Sequence, residues 1–72
     1  MESKNIIGKQ IRALRIEQGL TQAQLAARCN VLGYDLSRGA LAKVEAGCIR
    51  ITDINIRYFA QALKVTEGDL FK

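Results

Sequence analysis

Three glycines, Gly19, Gly33 and Gly47, each stand two to five residues ahead of a hydroxyl side chain, at Thr21, Ser37 and Thr52. Glycine readily takes the left-handed backbone that ends a helix, and a Ser or Thr oxygen accepts an orphan amide at the start of the next one. This punctuation divides the chain into short helical segments. The strongest of the signals is Thr21-Gln22-Ala23-Gln24, a capping box in which Thr21 takes an amide and Gln24 reaches back. No run alternates with period two for long enough to require a strand.

Apolar spacing fills in the segments. Ile7, Ile11 and Leu14 fall at i, i+4 and i+7 on a first helix that Ser3 or Asn5 is placed to cap, with Lys9, Arg12 and Ile16 off the stripe. Leu25 and Ala26 face inward on a second helix, which ends before Gly33. Ser37 opens a third that runs to about Ala46, with Leu41 and Val44 toward the core. Thr52 and Asp53 start a fourth along Ile56, Phe59, Ala60 and Leu63, and Thr66 caps a last turn carrying Leu70 and Phe71. The expectation is an all-α fold: five short helices around one core, residues 1–72 forming a single domain without linkers or repeats.

Chemistry is narrowed by what the 72 residues lack. There is no His, which removes the Ser-His-Asp and Cys-His nucleophilic systems and the commonest metal ligand. Two Cys alone do not close a zinc site, which wants four N or S ligands. Cys29 and Cys48 lie outside any CxxC pattern, and no secretion signal or membrane-length apolar run opens the chain. The reading is a cytoplasmic protein with free thiols, a disulfide being the alternative. An enzyme is disfavoured, no cofactor, metal or small-molecule effector is indicated, and a binding module leads.

Charge points to the partner. The chain has 11 Lys and Arg against 7 Asp and Glu, a net +4. Residues 1–50 hold all of that excess, while residues 51–72 carry three charges of each sign. Concentrated positive charge suits a polyanion, although a total this modest is equally compatible with a solvated basic face.

Three blocks then resemble one family. Ile11-Arg12, Leu14-Arg15, Gly19-Leu20-Thr21-Gln22 and Leu25-Ala26 make the first; Ser37, Leu41, Val44-Glu45 and Gly47 the second; Ala60, Ala62-Leu63, Val65 and Leu70-Phe71 the third. Together they resemble the phage repressor/Cro-type (XRE-like) helix-turn-helix family across nearly the whole chain. The resemblance implies a lambda-repressor-like fold and a sequence-specific regulator of double-stranded DNA, expected to be a repressor. A single module covers only about 600–1,000 Å² of DNA, so a homodimer on a palindrome is expected, with half-sites about 34 Å apart.

The resemblance also assigns roles. Gln22, at a helix start where free amides favour an anion, matches the family's phosphate-contacting Gln; a surface Gln assisting the cap is the alternative. The segment from Ser37 to Lys43 is the recognition segment. Arg38 and Lys43, slightly more than a turn apart, are expected to read bases, Arg being suited to guanine O6 and N7, or else to contact phosphate only. Gly39 and Ala42 are small enough for close approach. Phosphate contacts are expected from Gln22, Ser37, Arg50 and the hydroxyl of Tyr34, whose ring could instead fill the core. Arg15 and Glu45 match an internal ion pair joining the first helix to the recognition helix. Lys9 and Arg12 either flank the duplex or serve solubility.

One stretch departs from the family. Leu25 and Leu41 are 16 positions apart, about five more than usual, and the turn itself is normally 3–4 residues. The extra residues 31–36, Val31-Leu32-Gly33-Tyr34-Asp35-Leu36, are too apolar for a floppy loop, so either the second helix is longer or the insert packs as a flap near the DNA. A protein-interaction or antitoxin-like module that keeps the same fold is the competing function. RNA binding is disfavoured, because the four aromatics are scattered.

Overall fold

A computed structural model describes residues 6–71. Four α-helices, α1 (Gly8–Glu17), α2 (Gln22–Val31), α3 (Arg38–Glu45) and α4 (Asp53–Leu63), are followed by a 3-10 helix, Glu67–Phe71. The fifth expected helix is therefore a single tight turn, and no strand occurs among the described residues.

The caps explain the boundaries. Thr21 Oγ1 accepts from the Gln24 amide at 3.1 Å and Gln24 Oε1 accepts from the Thr21 amide at 2.8 Å, the reciprocal capping box. The Ser37 hydroxyl accepts from the Ala40 amide at 3.0 Å and Thr52 from Asn55 at 3.3 Å. Thr66 and Asp69 exchange two bonds across the final turn. Gly19 and Gly47 follow α1 and α3 with positive φ. At α1 the N-cap is Ile7 and no side chain caps it; Ser3 and Asn5 lie outside the described residues. Helix α4 ends on Lys64, with φ 57°, a left-handed residue where glycine is usual.

Buried Ile7, Ile11, Leu25, Leu41, Val44, Phe59, Leu63 and Leu70 form the core with Leu36 and Cys29. Helix α3 packs on both α1 and α2, while α4 packs on α1, α2 and the final turn. Contacts distant in sequence close the C-terminal end of α4: Gln18 donates to the Leu63 carbonyl at 2.6 Å and Arg28 to the Ala62 carbonyl at 3.2 Å. Of the two large apolar residues on the last turn, Leu70 is buried and Phe71 is 54% exposed. Burial raises the Cys29 thiol to about 11, and neither cysteine is in a disulfide.

The connection between α2 and α3 turns inward. Gly33 has φ 101°, and the amide of Asn30's side chain donates to the carbonyls of Ala26 and Leu36, at 2.7 and 2.8 Å. Leu36 enters the core. Tyr34 stacks on Tyr58 with centroids 5.3 Å apart and meets Phe59 edge-on at 5.7 Å. The insert thus packs against α4, while Val31 and Leu32 remain exposed.

Candidate nucleic-acid interface

Helix α3 is anchored on one side and open on the other. Leu41 and Val44 are fully buried, three residues apart, and fix its rotation. That rotation leaves Ser37, Arg38, Gly39 and Lys43 exposed and Ala42 half-buried. No protein group among the described residues pairs with either cation, so both heads are available to a partner.

Beneath α3 lies a polar network built on Glu45, whose side chain is 3% exposed beside an Arg15 side chain at 11%. Arg15 Nε donates to Glu45 Oε2 at 2.7 Å and Nη2 to Oε1 at 3.1 Å, the bidentate geometry that a guanidinium fork favours. Its third arm, Nη1, donates to the Leu20 carbonyl at 2.7 Å. One side chain thereby ties α1, the α1–α2 turn and α3 together. Gln22 joins them: its Nε2 donates to Glu45 Oε1 at 3.2 Å. An amide nitrogen has two hydrogens, so this bond orients the group and leaves one N–H and the carbonyl for a partner.

The other expected contacts are less concentrated. Arg50 is exposed on the loop after α3. Tyr34 is half-buried in the aromatic cluster, where burial, and secondarily the neighbouring Cys29, raise its phenol above the ordinary value; the hydroxyl stays protonated and able to donate. Arg28 lies in the basic stretch of the sequence, but its guanidinium is directed to α4. Lys9 and Arg12 on α1 share an open groove with Gln22 and Ala42. The Gln22–Glu45 bond and the shared groove were not visible in the sequence, because they join residues 10 to 33 positions apart on different helices without a local signal.

An exposed helix set across a capped, preceding helix, with cations on its open face, is the arrangement of a helix-turn-helix DNA reader. The helix-turn-helix family model matches residues 11–70, and the chain belongs to that family, in its XRE-type branch. The structure is similar to that of the restriction-modification controller protein C.AhdI from Aeromonas hydrophila, with a TM-score of 0.78 and 34% sequence identity over 90% of this chain and 87% of that one. Comparison with curated proteins gave no match. The protein is accordingly a DNA-binding transcriptional regulator whose partner is double-stranded DNA. No helix among the described residues is long and apolar enough to cross a membrane.

Proposed function

We propose that this regulator is a repressor that binds a palindromic operator as a homodimer, residues 1–72 acting as one DNA-binding domain in the cytoplasm. The observation that carries the reading is the rotation of α3, which buries Leu41 and Val44 and presents Arg38, Gly39 and Lys43 together. In this reading the N-terminal half of α3 enters the major groove. Arg38 and Lys43 contact base edges, Gly39 and Ala42 allow close approach, and Gln22, Ser37, Arg50 and Tyr34 hold phosphates. The similarity to a restriction-modification controller makes the control region of such a system the first operator to try.

Selection from random duplexes, followed by gel-shift titration, tests this. A palindromic site with half-sites about one helical turn apart is expected, bound by two copies of the chain. Arg38→Ala should lose about 1–3 kcal/mol and relax preference at one base pair. Failure to enrich any site at about 50 mM salt, where backbone contacts are strongest, refutes the regulator assignment. Unchanged preference in Arg38→Ala refutes only the role given to Arg38.

A further inference from the structure

Among the described cations three are already engaged: Arg15 on Glu45, Arg28 on the Ala62 carbonyl, and Arg57 on Glu67. Lys9 and Arg12 have no such partner among the described residues. They stand three residues apart on α1, hence on one helix face, and both are exposed. Both line an open groove of about 1160 Å³ that Gln22 and Ala42 also line. The volume exceeds the roughly 300–1,000 Å³ of a small-ligand pocket. Ile16 gives the groove apolar lining, and Glu17 is its one exposed acid, near the C-terminal end of α1.

Gln22 is the residue whose free N–H the proposed function gives to a phosphate, and Ala42 lies on the reading helix. A strand held by Gln22 therefore passes this groove, and the positive charges that line it are complementary to that strand. We propose that Lys9 and Arg12 form a second grip on the DNA backbone, so that the duplex is held by α1 as well as by α2 and α3. This grip rests on the DNA reading above and deepens it. It recognises phosphodiester charge and carries no sequence information. It also gives function to the exposed face of α1, whose opposite face buries Ile7 and Ile11.

The test is the salt dependence of binding. Kd is measured from about 50 to 200 mM salt for wild type, Lys9→Gln, Arg12→Gln, the double variant, and Lys64→Gln, which removes an exposed cation outside the groove. Each duplex contact contributes about 0.9 to the slope of log K against log salt. Each single variant should lower the slope by about 0.9 and the double by about 1.8, equally on selected and scrambled duplexes. The ratio of the two affinities should stay constant, and Lys64→Gln should match wild type. Circular dichroism confirms folding, and the single variants stand in if the double unfolds. Slopes equal to that of Lys64→Gln overturn the grip on α1 while leaving the DNA reading intact. Absence of salt-dependent duplex binding by wild type overturns the DNA reading itself.

Discussion

Replacing Glu45 with alanine should be among the most damaging single changes this fold can take. The carboxylate is 3% exposed and accepts three bonds, two from Arg15 and one from Gln22. Its loss leaves a guanidinium, itself almost buried, with the Leu20 carbonyl as its one remaining partner. Breaking a buried pair from one side removes about 3–5 kcal/mol, because the surviving charge is stranded in low dielectric. A 72-residue domain has a total of about 4–11 kcal/mol, so the variant should be close to unfolding at room temperature. Each kcal/mol shifts Tm by about 4–8 °C at this size, which predicts a fall of at least about 12 °C. Urea titration followed by far-ultraviolet circular dichroism measures it, with a lower midpoint at unchanged m. Arg15→Met combined with Glu45→Leu should recover most of the loss, since apolar replacement of a whole buried pair is often neutral. A loss below about 1 kcal/mol for Glu45→Ala, the range of exposed pairs, would refute the argument that the network is buried and structural.

Two other perturbations probe features away from the interface. Lys64 holds a left-handed conformation, φ 57°, which disfavours a side-chain-bearing residue by about 1–2 kcal/mol, partly offset by the greater entropy that glycine loses. Lys64→Gly should therefore raise stability by about 0.5–1 kcal/mol, and a lower Tm would contradict the conformational reading. The buried Cys29 thiol, raised from 9.0 to about 11, holds its proton in the folded state at pH values where the unfolded chain has lost it. Its contribution is complete below about pH 9 and declines between 9 and 11, by up to about 1.4 kcal/mol per pH unit. Cys29→Ala should lower stability at neutral pH yet lose about 1 kcal/mol less than wild type between pH 8 and 10; parallel alkaline limbs would rule out burial as the cause.

The fold was legible wherever its signals were local. Capping oxygens at Thr21, Ser37 and Thr52 and glycines at 19, 33 and 47 act within one turn of their own backbone, so the pattern of residues marks the helix ends directly. The helical spacing of Leu41, Val44, Phe59 and Leu63 located the core face of two helices for the same reason. What escaped was made by distance. Gln18 and Arg28 close the end of α4 from 45 and 34 residues away, which is why α4 can stop without a glycine. The orientation of the 31–36 insert depended on Tyr34 finding Tyr58, and nothing near Tyr34 encodes that partner. The unaided start of α1 at Ile7 was illegible for a different reason: the sequence offers better cappers upstream, and the observed cap uses no side chain. At the interface, residue types and order pointed to α3, but the groove joining Lys9 and Arg12 to Gln22 exists only once α1 has packed on α3.

The stack of Tyr34 on Tyr58 also has an optical meaning. The chain has two tyrosines and no tryptophan, so its intrinsic near-ultraviolet emission comes from one pair of rings 5.3 Å apart. That pair joins α4 to the α2–α3 connection, the segment that leads directly into the reading helix. Tyrosine emission therefore acts as a built-in gauge of the connection, with no tryptophan to mask it. A duplex that seats without shifting the stacked-pair emission finds the connection already set.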